Sequence, residues 1–159
     1  MAVDVVTIAE EWVYEMAGAD AAVTAALGSG NNLRVWPAFA PQNAAFPYCT
    51  HDFAGVFSVP TAFGGPPTQW GIAWDVTVWG DSANRQDLRA AMTALLGALV
   101  GEDMRGRAVT WQSETDDSLW QIACTYRAPV AVPGDDGVSG EGVYQRVCHQ
   151  LKLDMQRLS

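Results

Sequence analysis

The chain has 159 residues, of which 49% are hydrophobic and 17% charged, with nine Lys and Arg against eighteen Asp and Glu, for a formal net charge of -9. That much apolar content excludes a disordered chain, which has too little apolar surface to offset the entropy of ordering. One Lys and eight scattered Arg exclude attachment to nucleic acid through clustered phosphate contacts.

The length fits a single domain over residues 1–159. From Asp4 to Ala17 the apolar residues Val5, Ile8, Ala9, Trp12, Val13 and Met16 recur at helical spacing, which predicts an amphipathic helix with Glu10, Glu11 and Glu15 toward solvent. A second short helix, DAAVTAAL, starts at a cap residue, Asp20, and stops at Gly28-Ser29-Gly30. LRVWP reads as a strand that Pro37 ends, because proline cannot donate to a ladder. Tyr48 to Phe57 is a second strand and Gln69 to Trp79 a third, with Trp70, Ile72, Trp74, Val76 and Val78 on its buried face. Asn84 to Val100 returns to helical period on a stripe of Leu88, Ala91, Met92, Leu95 and Leu99, capped by Asn84 and stopped by Gly101. Arg107 to Glu114 and Leu119 to Arg127 flank the turn Thr115-Asp116-Asp117-Ser118 as a hairpin, and Val143 to Met155 is a last strand.

The expected fold is therefore α+β: an antiparallel, or mixed, sheet of five to six strands with two main amphipathic helices on one face. Long loops are expected at 59–68 and 129–142. The three cysteines, Cys49, Cys124 and Cys148, are odd in number and lack CxxC spacing, so the sequence predicts neither a disulfide framework nor a zinc knuckle. An acidic start and the lack of an apolar run near 20 residues predict a soluble, non-exported chain with no membrane partner.

Catalytic signals are sparse. Cys49 and His51 can share a strand face as a thiol and a base, whereas Asp52, next to His51, points the other way. The alternative is that Cys49 is a small buried hydrophobe and His51 and His149 are sheet residues. Trp70 and Trp74 read as a ligand pocket or as core beneath a helix. Asp135-Asp136-Gly137 lacks the ligand spacing of a calcium loop, and Gly28-Ser29-Gly30 lacks that of a phosphate loop. No cofactor, metal or catalytic set is expected. Seven Trp residues suggest that part of the aromatic surface faces a partner chain.

The series from the N-terminal helix through DAAVTAAL, LRVWP, Ala40-Pro41-Gln42, Pro47-Tyr48, the strand ending VTVWGDS and the helix DLRAAMTALLGAL resembles the tailed-phage tail-completion or tail-terminator family. The resemblance covers Thr7 to Leu99 and continues more weakly through VYQRVCHQLKL. It implies a structural protein, not an enzyme, assembled in the bacterial host cytoplasm into the virion tail or neck. It further implies a ring, commonly a hexamer, that caps the tail tube and meets the head-tail connector while DNA passes through. Another neck or head-completion protein remains an alternative, as does a small enzyme using Cys49 and His51. Trp36, Pro41, Gln42 and Trp79 are candidate contact residues, and Glu114, Asp116, Asp117, Asp135 and Asp136 are candidates for an acidic channel.

Overall fold

The computed structural model describes residues 4–58, 68–81, 85–130, 138–139 and 142–159. The first helix, α1 (Val5–Ala19), begins where the Asp4 carboxylate accepts hydrogen bonds from the Val6 and Thr7 amides, at 3.1 and 3.4 Å. It stops at Asp20, whose extended backbone breaks the helix and whose carboxylate caps α2 (Ala21–Leu27) by accepting from the Ala22 and Val23 amides. Gly28 then takes φ 87, and a Cβ there would sit 2.3 Å from the Asn32 carbonyl oxygen, so glycine is required at this turn. A 3-10 turn, Gly30–Asn32, leads into the sheet.

Six strands form one mixed sheet: β1 (Val35–Pro37), β2 (Tyr48–Ser58), β3 (Gln69–Asp81), β4 (Arg107–Gln112), β5 (Leu119–Val130) and, last in the chain, β7 (Gly142–Arg157). The two-residue β6 (Val138–Ser139) pairs with the start of β7. The order across the sheet is β1-β2-β3-β7-β5-β4. All pairs are antiparallel except β1 with β2. The C-terminal strand thus lies in the middle, with Trp74 of β3 opposite Leu151 of β7, and Leu151 opposite Tyr126 of β5.

The helices lie on one face. The α3 helix (Arg85–Val100) buries Leu88, Ala91, Met92, Leu95 and Leu99. Beneath the helices lie Ile72, Trp74, Val76 and Val78, then Leu151, Leu153 and Met155, then Trp120, Ile122 and Cys124, all in one core cluster. Trp12, Trp74 and Trp120 are fully buried; such side chains remove roughly 150–250 Å² each from water. The opposite sheet face carries linked polar and charged side chains: Gln150 Nε2 donates to Asp75 at 2.9 Å, Arg127 donates to Gln150 Oε1 at 2.5 Å, and Lys152 pairs with Asp154 at 3.0 Å.

Of the two expected forms the sheet takes the mixed one: β1 and β2 run parallel, because the ten residues 38–47 carry the chain back to the end of the sheet where β1 began. Three expectations change. The hairpin turn starts earlier than expected: β4 ends at Gln112, and Ser113 closes the turn by donating its amide to the Ser118 carbonyl. The expected 129–142 loop is partly strand, since β5 runs to Val130 and residues 138–139 and 142 are paired. Glu11 and Glu15 do not face solvent freely, but bind the hairpin. Residues 59–67, Asn84 and the Asp135-Asp136-Gly137 run lie outside the described residues.

Candidate assembly surfaces

Tyr48 is the centre of an aromatic cluster at the β1 end of the sheet. It stands next to Pro47, whose peptide bond with Phe46 is cis. The Phe46 ring stacks on Tyr48 at 5.4 Å and 9° between planes, Trp79 stacks at 6.1 Å and 21°, and Trp36 meets it edge-on at 6.0 Å and 66°. Two further contacts fix Trp79. Its indole N–H donates to Thr50 Oγ1 at 3.0 Å, and the Arg146 guanidinium lies 4.9 Å from its ring centre. The sequence-predicted residues Trp36 and Trp79 are thus brought onto one ring, Tyr48.

Next to this cluster a concavity of about 680 Å³ is lined by Tyr14, Trp36, Pro41, Gln42 and Asn43 among others. Pro41 and Gln42 are exposed, and their loop is held by a turn in which the Ala44 amide donates to the Pro41 carbonyl at 3.1 Å. Asn43 supplies the positive φ that this turn needs. Arg34 ties the loop to the helices, donating from Nε to the Pro47 carbonyl at 2.8 Å and from Nη2 to the Ala26 carbonyl at 3.0 Å. Phe39, beyond the β1 end, is 87% exposed. It adds a large apolar ring to the exposed surface of the loop that carries Pro41, Gln42 and Phe46. A second concavity, about 690 Å³, runs between α2 and α3 over Ala22, Ala90, Ala94, Gly97 and Met104.

The hairpin tip is built from carboxylates. Glu11 of α1 accepts from Ser113 Oγ at 2.9 Å, from the Glu114 amide at 2.5 Å and from the Thr115 amide at 3.3 Å, and Glu15 accepts from the Trp111 indole at 2.6 Å. Within the tip, the buried Trp120 indole donates to Ser118 Oγ at 2.5 Å, and Ser118 Oγ donates to the Asp116 carboxylate. That bond holds the Asp116 carboxyl below the usual range. Glu114, Asp116 and Asp117 are exposed at this tip, so the structure groups these three candidates and separates them from the aromatic cluster. The roles of Glu11 and Glu15 were hidden in the sequence, because their partners lie about a hundred residues away.

Cys49 and His51 do share the helix-facing side of β2. Burial raises the Cys49 thiol far above its normal range and lowers His51 to about 4. His51 is 1% exposed, lies against Trp74 at 5.8 Å, and finds no protein hydrogen-bond partner for either ring nitrogen. A protonated thiol and a neutral imidazole under a helix are core groups and not an activated pair. Trp74 is likewise core, and Trp70 packs against Trp120 at 5.5 Å. His149 is half-buried and bonds the Tyr126 hydroxyl through Nδ1 at 3.0 Å.

The family model described as "Tail completion protein gp17" matches residues 11–131. No curated protein matches the chain. Over 98% of its length and 98% of the other chain, the fold is similar to a solved structure titled "Virion of native gene transfer agent (GTA) particle", with a TM-score of 0.60 and 20% identity. With a match over most of its length, the chain belongs to the tail completion protein gp17 family, and its place is structural, in the virion tail.

Proposed function

We propose that copies of this chain close into a ring, six in number, that caps the finished tail tube and joins it to the head or neck. The observation that carries this reading is the pair of unlike surfaces: an aromatic ridge in which exposed Phe46 stacks on half-buried Tyr48, with Phe39 exposed on the same 38–47 loop, and an apolar concavity between α2 and α3. A closed ring repeats one heterologous contact and so needs two different patches on each subunit. In this reading the ridge of one subunit meets the concavity of the next, while Trp36, Pro41, Gln42 and Trp79 shape the contact. The solved virion particle with the same fold is in keeping with a site within an assembled particle.

The net charge of -9 supports a second element of the proposal, a channel through which DNA passes without adhering. Glu114, Asp116 and Asp117 at the hairpin tip, with Asp135 and Asp136, line it. Replacing Phe39 with Asp tests the contact: incorporation into particles should fall sharply while the isolated chain stays folded, and normal incorporation contradicts the ridge. Replacing Glu114 and Asp117 with Lys tests the channel: particles should assemble but eject DNA slowly, and unchanged infectivity contradicts it.

A further inference from the structure

Among the described residues the positive-φ backbone region is occupied mostly by glycine, which has no Cβ to clash there, and by Asn43 and Asp117, whose short polar side chains tolerate it. Two further residues, Ala38 (φ 58) and Met104 (φ 56), have no such allowance and hold this conformation at a cost in free energy. Each is fixed by hydrogen bonds. The Ala38 amide donates to the His51 carbonyl at 2.8 Å, and the Phe39 amide reaches back to the Pro37 carbonyl at 2.6 Å, so Ala38 is the centre of a γ-turn of the rare, strained kind with positive φ. The Met104 amide donates to the Gly101 carbonyl at 3.0 Å, closing the turn that follows α3.

The two strained residues fall one on each of the two unlike surfaces. Ala38 turns Phe39, 87% exposed, out of the 38–47 loop, and Met104 lines the concavity between α2 and α3 with its own side chain 38% exposed. Strain kept beneath exposed apolar side chains adds nothing to the core; its use is to present those side chains. The chemistry of the two surfaces also matches. From Arg34 to Tyr48 the one charged residue is Arg34, whose guanidinium bonds the Pro47 and Ala26 carbonyls, which leave its charge uncompensated. The charged residues lining the concavity, Asp20 and Glu102, are acidic, and the short side chains of Ala22, Ala90 and Ala94, with Gly97, leave room for a ring. A Met thioether at its rim makes favourable contact with an aromatic side chain.

We infer that Phe39 of one copy packs against Met104 of the next, and that Ala38 is the positioning residue that holds Phe39 ready for it. The inference rests on the ring proposed above and names the pair at the centre of its repeated contact. Opposite charge, Arg34 on one copy against Asp20 and Glu102 on the other, favours this pairing of surfaces over ridge on ridge. The strained turn has a function in assembly: a backbone already fixed in the free chain has less freedom to lose on binding than a glycine turn of the same shape.

Cysteine cross-linking in assembled particles tests the pair. The natural cysteines, Cys49, Cys124 and Cys148, are buried, so a chain with both Phe39→Cys and Met104→Cys should give, on oxidation, a ladder of linked copies that neither single variant gives. Alanine variants competing with the wild-type chain for incorporation read the same pair without a bond. Phe39→Ala and Met104→Ala should each lower incorporation, and the double variant should lose less than the product of the two losses, by about 2- to 10-fold. Ala38→Gly should keep or raise the melting midpoint of the isolated chain while lowering incorporation about 2- to 5-fold, a combination that a merely structural residue does not give. Normal incorporation of Phe39→Asp overturns the ring contact and this pair with it. If Phe39→Asp is excluded, yet no ladder forms and the alanine losses multiply, the pair is overturned and the contact stands; wild-type incorporation of Ala38→Gly overturns the positioning role.

Discussion

Replacing Glu11 with Ala tests whether α1 holds the hairpin tip in place. The half-buried carboxylate accepts three hydrogen bonds, from Ser113 Oγ at 2.9 Å and from the Glu114 and Thr115 amides at 2.5 and 3.3 Å. Hydrogen bonds to a charged group contribute about 1.5–3 kcal/mol when well formed. Here the two amides are exposed and regain water in the variant, and the 3.3 Å bond is long, so the expected loss is about 2–3 kcal/mol in all. For a chain of this size that lowers the melting midpoint by roughly 5–10 °C. Glu11→Gln keeps one acceptor oxygen and should lose about half as much. Urea denaturation measures the energy, and hydrogen exchange at Glu114 and Thr115 measures where it is lost. A loss below about 0.5 kcal/mol, or unchanged exchange at the tip, would refute the reasoning.

His51 supplies a pH dependence. Its folded pKa, lowered by burial to about 4, lies below the ordinary 6.5, so its neutral form is favoured by folding. That contribution is whole above pH 6.5 and is lost as pH falls through this window toward 4, up to ~3 kcal/mol in full. His51→Leu should flatten this part of the stability profile measured by denaturation at stepped pH; an equal slope in both proteins counts against it. Gly28→Ala places a Cβ against the Asn32 backbone at a positive φ, and should cost about 1–3 kcal/mol in thermal unfolding, with Gly101→Ala, where nothing lies closer than 3.4 Å, costing less.

Much of the fold was legible because its signals are local. The α1 stripe, the Asp20 cap, the Gly28 stop and the period of two in β3 each follow from neighbours in sequence, and each element forms where its pattern lies. Turn chemistry between successive strands says nothing about long-range order. That β7 inserts between β3 and β5 is decided by packing of Leu151 and Leu153 into the core, not by any turn. The parallel β1–β2 pair was hidden for a related reason: the prolines mark where strands stop, not which way the chain returns. Trp36 and Trp79 were found as surplus aromatics, but Tyr48, which joins them, was read only as a strand start. Glu11 and Glu15 looked like solvent residues because their spacing on α1 is that of an outward face; their partners on β4 and its turn are invisible until the sheet is assembled.

The proposed ring gives this chain one place in the particle, at the head-proximal end of the tail. Electron microscopy of particles carrying the chain with a gold label at its C-terminus tests that most directly. The account predicts label at a single level, where tail meets head, in a ring of density. Label spread along the tube, on the capsid, or missing from intact particles would contradict it.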